Sequence, residues 1–598
     1  VLLQAIDFAL DIISAPNWVM QVFFLAAVAG LPMVLIFSWI FEMTPDGIKL
    51  ESEVDRSQSV TPHTGRKLDR TIMVFLAMAV ILLLADRFLL SEDLPTPAET
   101  NTTIEQVTNE SSASKVKSVA VLPFVNMSSD PEQEYFSDGL AEELLNRLAK
   151  NDRLHVAART SSFQFKGQNQ DIAEIGKQLN VAHVLEGSVR KSSNRLRITA
   201  QLIEVDSGFH LWSETYEREM DDIFTIQDDI SQAITRALEA ELGAVSTSTE
   251  AHPTKNLEAY QLYLEARYLL AKRGEGNMLK AHGLFEQAVG LDPEFSRAWS
   301  SLAYNYSLLP SYGGTVSTNQ AWEIVNEAAT KAIQLDSTSA EAYVALGRAN
   351  MHDDFKTIQQ LYEKAYELAP NNTDVINFYA DFLVIVGDFQ AAERLERKAI
   401  ELDPLAAVHH SDLVFVLVPL GRYEEALIYG RNSARLEPDS VDRADALVYS
   451  LIMAGLHDEA VETIRYYEQR HGSDHESVNW WWCLLYYNQG NEQKLREKLT
   501  RRFNSHASGT GVFGETVTAF FITWLDGTKA GLPWFKEAQR TGDWNINWPD
   551  YVYLPEIISE DPEWLAFWQQ PRLAELMEIR RSNQTQEHIG LWKERTVK

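Results

Sequence analysis

Cysteine is almost absent from this chain of 598 residues: there is one, Cys483. That excludes an internal disulfide and any zinc site built on paired cysteines. Cys483 lies in the run Trp480-Trp481-Trp482-Cys483-Leu484, where a small buried core residue is expected rather than a nucleophile. The phosphate loop GxxxxGKS or GxxxxGKT is missing, as are HExxH, GxSxG and CxxC. Basic residues are also short. Lys and Arg total 53 against 85 Asp and Glu, for a formal charge of -32 and a pI of about 4.9. Such a surface repels phosphate backbones, so no nucleic-acid partner is expected. What is present is 45% hydrophobic residues, enough for real cores over several domains.

The first 91 residues read as a membrane region. Trp18 to Phe41 is uncharged for 24 residues, with Trp18 and Trp39 near its ends. About 20 apolar residues suffice for a helix to cross the hydrocarbon. A second span is expected over 72–90, interrupted only by Asp86-Arg87, and 1–14 reads as a possible partial span. The loop between the spans carries Lys49, Arg56, Arg66, Lys67 and Arg70. The stretch after the second span has Glu92, Asp93, Glu99, Glu105 and Glu110 but no Lys or Arg up to Ser114. The positive-inside rule puts the loop in the cytoplasm and everything after residue 90 on the far side. Residues 92–114, rich in Thr, Glu, Ser and Pro, read as a flexible stalk. The chain starts at Val1 inside an apolar run and reads as a piece lacking its original N-terminus.

Residues 115–245 read as a small α/β domain. Ser118 to Phe124 is a short apolar run ended by turn residues, the pattern of a buried strand. Ser129-Asp130-Pro131 opens a helix with Leu140, Leu144, Leu145 and Leu148 on one face. Leu154 to Arg159 is strand-like, and Asp171 to Leu179 is a short helix. Val184–Lys191 and Arg195–Val205 read as two strands joined by a turn, with His210–Ser213 as a last short strand. Asp222 to Leu242 is a long amphipathic helix. Asp138, Glu142 and Glu143 are expected on a solvated face beside the leucine stripe, with no matched nucleophile nearby.

The segment VAVLPFVNMSSDPEQEYFSDGLAEELLNRLAK, with VLEGSVRKSSNRLRITAQLIEVDSGFHLWSETYERE and DIFTIQDDI, resembles a bacterial TolB-like N-terminal domain. Proteins of that group are membrane-anchored and continue into tetratricopeptide (TPR) repeats. The resemblance implies three spans in the intact protein, a periplasmic C-terminal part and no catalytic residues. Some relatives carry a winged-helix or cyclase domain ahead of the membrane.

A punctuation mark recurs in the second half: Leu291-Asp292-Pro293, Leu335-Asp336-Ser337, Leu368-Ala369-Pro370, Leu402-Asp403-Pro404 and Leu436-Glu437-Pro438. The leucines are spaced 44, 33, 34 and 34, the first interval carrying an insertion at Leu309–Gly314. Gly387, Gly421, Gly455 and Gly490 follow at 34, 34 and 35. A 34-residue period is that of TPR helix pairs, which must stack to bury their apolar faces. Residues 253–500 are therefore expected to form an all-α TPR solenoid. The Trp-rich stretch 501–598 is expected to be a degenerate helical cap.

Other features are read structurally. Gly509-Thr510-Gly511-Val512-Phe513-Gly514 fits GxGxxG, but the helical, basic stretch before it argues for a loop between helices. His409 and His410 point about 100° apart on a helix, which disfavours shared metal binding and favours packing. No cofactor and no metal site is expected. Aligning repeats on their glycines puts Asn377, Asp381, Asp445 and Tyr449 on first helices facing the groove, as candidate partner-binding residues. The expectation is a non-enzymatic scaffold for protein or peptide partners, held in a bacterial inner membrane by lipid-facing helices. A sensory, signal-transducing membrane protein is the alternative, and an envelope enzyme is the least favoured. The oligomeric state is left open.

Overall fold

The computed structural model of the protein describes residues 41–44 and 47–50 and, between 118 and 583, all but short stretches, the longest being 243–252, 507–514 and 542–560. The chain divides into two units, Val1–Ser111 and Ser112–Lys598. In the first, the described residues form a hairpin of β1 (Phe41–Thr44) and β2 (Gly47–Leu50), antiparallel from Phe41↔Leu50 to Thr44↔Gly47. The expected spans 18–41 and 72–90, apart from Phe41, lie outside the described residues, as do the partial span 1–14 and the stalk 92–114. Among the described residues no helix is long and apolar enough to cross a membrane.

The second unit opens with an α/β domain. Its first strand, β3 (Ser118–Val121), alternates sides: Val119 and Val121 join one core, Ala120 another. It is followed by β4 (Val125–Asn126), α1 (Glu134–Ala149), β5 (His155–Val156), α2 (Arg159–Phe163) and α3 (Ile172–Gln178). Then come β6 (His183–Ser192), β7 (Arg195–Glu204), β8 (His210–Glu219) and α4 (Ile223–Leu242). The sheet order is β5-β3-β6-β7-β8, with β4 also on β6. Pairs among β3 to β6 are parallel, and β6-β7 and β7-β8 are antiparallel. On β7, Leu196, Ile198, Ala200 and Leu202 are buried, the period of two expected of a half-covered strand. Leucines of α1 and isoleucines of α4 cover one face of the sheet. Ile175 and Leu179 cover the other.

Two expectations about strands change. The last strand is ten residues long rather than four, because its polar tail pairs with β7 as an edge strand burying only Tyr216. The strand expected over Leu154–Arg159 shrinks to two residues, and Arg159 starts a helix instead.

Helix pairs follow: α5 (Leu257–Ala271) and α6 (Glu275–Leu291), α7 (Ser296–Leu308) and α8 (Thr318–Leu335), α9 (Ala340–Ala349) and α10 (Phe355–Leu368). The array continues with α11 (Thr373–Ile385) and α12 (Phe389–Leu402), α13 (Ala407–Leu417) and α14 (Tyr423–Leu436), α15 (Val441–Met453) and α16 (His457–His471), α17 (Glu476–Asn488) and α18 (Glu492–His506). The leucine of each punctuation mark is the last residue of its helix. Gly387, Gly421, Gly455 and Gly490 all take positive φ, from 65° to 78°, where a Cβ is disfavoured. Side chains of Asn372, Asp388 and Ser440 cap the helices that follow them. The chain is a small α/β domain followed by a long TPR-like helical array.

The C-terminal part holds α19 (Glu515–Asp526), α20 (Thr528–Thr541), α21 (Pro562–Trp568) and α22 (Pro571–Asn583). Phe521, Phe535, Trp564 and Trp568 form a core there with Cys483. Cys483 is thus a buried core residue, and Trp481 is fully buried beside it in sequence. The GxGxxG residues lie outside the described stretch, between α18 and α19.

Candidate functional site

First helices of successive pairs pack on one another, α7 on α9, α13 on α15 and α15 on α17, so they line the inside of the array's curve. The α/β domain meets this inner face. Helix α1 packs on α5, and Gly139 leaves room for Leu264: a Cβ there would lie 3.0 Å from its side chain. Asp138, Glu142 and Glu143, expected in solvent, are buried in this junction. Glu142 accepts from Arg159 Nε and from Arg267 Nη2, both at 2.7 Å. Arg267 on α5 also donates to Glu341 of α9 at 2.6 Å. Arg297 of α7 donates to Glu143 at 2.7 Å, and Lys166 to Asp138 at 2.6 Å. Burial alone would raise the Glu142 carboxyl, but Arg267 and Arg159 override it and hold it at about 2. The sequence expectation failed because a helix seen alone shows one apolar stripe. Two of the cations that bury its other side, Arg267 and Arg297, lie more than 100 residues away on the array. One clue was present: Arg267 has no Asp or Glu three or four residues away to pair with on its own helix.

A second contact lies at the turn between α12 and α13. The Ala158 amide donates to the Leu402 carbonyl at 2.9 Å. The Ser161 amide donates to Asp403 Oδ1 at 2.8 Å, and the Ser161 hydroxyl donates to the same oxygen. The Leu405 amide donates to Ser161 Oγ at 2.9 Å. Beside this contact a cleft of about 690 Å³ opens between the α/β domain and the array, lined by His155, Lys177, Asn180, Asp206 and Glu401 among others.

From Asp403 a row of buried polar groups runs to the inner face. His409 lies with Nε2 3.8 Å from Asp403 and Nδ1 3.5 Å from Glu396. Burial would lower this imidazole, but the two carboxylates raise it to about 10, so it is an imidazolium. Asn377 donates to Glu396 at 3.4 Å and to Asp412 at 2.5 Å. Asp381, Glu396 and Asp412 line a small pocket with Phe415 and Val416. Burial raises Asp381 and Asp412 above the usual carboxylate range, and like charges add to the effect at Asp381. His410 Nε2 meets the Pro404 carbonyl at 3.0 Å.

The four groove candidates divide accordingly. Asn377 and Asp381 come together around this pocket. Asp445 lies a repeat further on, accepting from Trp481 Nε1 at 2.6 Å. Tyr449 is buried and stacks on Phe415 at 5.5 Å. Three of the four are thus tied to neighbouring helices, and Asp381 faces the pocket.

Comparison with known proteins places two signals on this architecture. Residues 114–234 match the family described as HilA/YgeH-like transcriptional regulator, second domain. The chain is also similar to "Putative adenylate cyclase 3" of Rhizobium meliloti (strain 1021), 41% identical over 187 residues, or 31% of this chain and 32% of that protein. The chain therefore spans about a third of the relative's length. Solved structures that resemble it include pilF of Pseudomonas aeruginosa, at 20% identity, covering 34% of this chain and 89% of that one, with a TM-score of 0.28. A tetratricopeptide repeat protein of Parabacteroides merdae is 10% identical, covering 46% and 100%, with a TM-score of 0.32. The repeat assignment rests on the helix ends and glycine turns above, not on these likenesses.

Proposed function

We propose that this chain is a non-enzymatic scaffold that binds partner proteins or peptides on the inner face of its repeat array. In this reading it is anchored in a bacterial inner membrane through the first 91 residues. Its TolB-like α/β domain and array then lie in the periplasm. The observation that carries the reading is the array itself: stacked pairs whose first helices make one extended inner surface, a form suited to linear segments and partner domains. The membrane placement is supported by the uncharged 24-residue run and the basic loop after it.

The test is in-cell crosslinking and capture with the full chain, against Asp381→Lys on the inner face and Glu217→Lys on the exposed sheet edge. A discrete envelope partner should be held by the parent and by Glu217→Lys and lost from Asp381→Lys, with helix content unchanged by circular dichroism. Capture that survives Asp381→Lys would remove the inner face from consideration. A second reading, a signal-transducing membrane protein with this part as its input module, is favoured by the matches to a transcriptional-regulator domain and a cyclase. It predicts that partner loading changes the output of a cytoplasmic effector.

A further inference from the structure

We propose that the buried row Ser161–Asp403–His409–Glu396–Asn377–Asp412 couples the inner-face pocket to the grip of the α/β domain on the turn between α12 and α13. The proposal rests on the reading that partners meet the inner face. The row runs from a side chain of α2 to a side chain lining the pocket: hydrogen bonds from Ser161 to Asp403 and from Asn377 to Glu396 and Asp412 flank two ion-pair contacts of His409, 3.8 Å to Asp403 and 3.5 Å to Glu396. Its two ends lie on different domains, and Ser161 and Asp403 are 242 residues apart in sequence.

Two carboxylates share one imidazolium in this row, so they compete. Anything that draws Glu396 away from His409 leaves the imidazolium to Asp403. Asp403 then holds less of its charge for the two donors of Ser161. Low local dielectric makes such exchanges steep, because the charges on either side of His409 act on it with little screening. Asp381 faces the pocket from α11, and Arg348 and Arg443 act on Asp381 and Asp412 respectively, so the pocket end senses added charge. The domain does not detach, because α1, α4 and α5 share one continuous apolar core. What changes is the hold of α2 on the far turn.

The experiment is hydrogen exchange by mass spectrometry on the full chain, reading peptides over 155–165 and 400–407. Asp412→Asn removes the acceptor charge for Asn377, frees Asn377 for Glu396, and should speed exchange in both peptides about fivefold. Peptides of α5 and α7 should be unchanged. In a His409→Gln background, Asp412→Asn should add nothing; Asn377→Ala replaces His409→Gln as the break in the row if that variant fails to fold. Unchanged exchange in Asp412→Asn, or an equal effect with the row broken, would overturn the coupling. No partner enters this measurement, so its failure leaves the scaffold reading standing, and a failed capture experiment leaves the coupling intact.

Discussion

Glu142 shows how much one side chain can carry when its partners come from two domains. Replacing it with alanine takes the carboxylate from Arg159 and leaves Arg267 with Glu341 as its acidic partner, and losing one member of such a partly buried set costs up to about 3–5 kcal/mol. Denaturant unfolding of Glu142→Ala should show a loss of that size. The pH dependence follows from the sign of each shift. Glu142 titrates lower folded than unfolded, so its contribution is full above about pH 4.5 and is lost as pH falls towards 2. His409 titrates higher folded than unfolded, so its contribution is full below about pH 6.5 and is lost as pH rises towards 10. Asp445 has the opposite character to Glu142. Burial pushes it up to about 6, so its ionised form weakens the fold at neutral pH. Asp445→Asn keeps an acceptor for Trp481 and should stabilise the protein by about 1–2 kcal/mol at pH 8, with the gain vanishing near pH 4. Thermal unfolding at the two pH values checks this.

At the scale of elements, the array was legible because its punctuation is local. A leucine that ends a helix, a proline or serine after it and a glycine 34 residues from the last glycine each act within a few residues. Gly455 and Gly430 separate two roles that sequence alone merges. Gly455 has φ of 77° and open space around it, so Gly455→Ala should cost about 1–2 kcal/mol from backbone strain alone. Gly430 is in α14, where an added Cβ would lie 2.6 Å from Ser450 Oγ and 3.1 Å from the Ala446 carbonyl of α15. Gly430→Val should therefore cost more than Gly455→Ala, read by midpoint shifts in urea. The site was less legible than the fold. Repeat alignment puts Asn377 and Asp381 on first helices, but Glu396 and Asp412 beside them lie on other helices, and nothing local marks them. The same holds for Ser161 and Asp403. Long-range polar contacts leave no period in a sequence, whereas stacking leucines do.

Across the whole molecule, the last described helix, α22, does more than extend the array. From α22, Arg580 Nε donates to the Ile385 carbonyl at 2.7 Å, Asn583 donates to Val386 at 3.1 Å, and Arg572 lies 4.9 Å over the Phe355 ring. The chain thus returns to the middle of its own repeats, onto α10 and the turn after α11. Removing residues 571–598 should speed hydrogen exchange at the 385–388 turn, while peptides of α5 and α6 keep their rates. An unchanged turn would mean that the contact carries no stability. Repeat arrays ordinarily behave as rows of nearest neighbours, able to form from any point and fray from either end. The bond from Arg580 to Ile385 closes a loop of 195 residues, and a closure of that length comes late and slowly. A chain emerging N-terminus first therefore holds its middle repeats unfastened until α22 is made. The time between those events is a window in which chaperones and proteases, rather than partners, meet the open array.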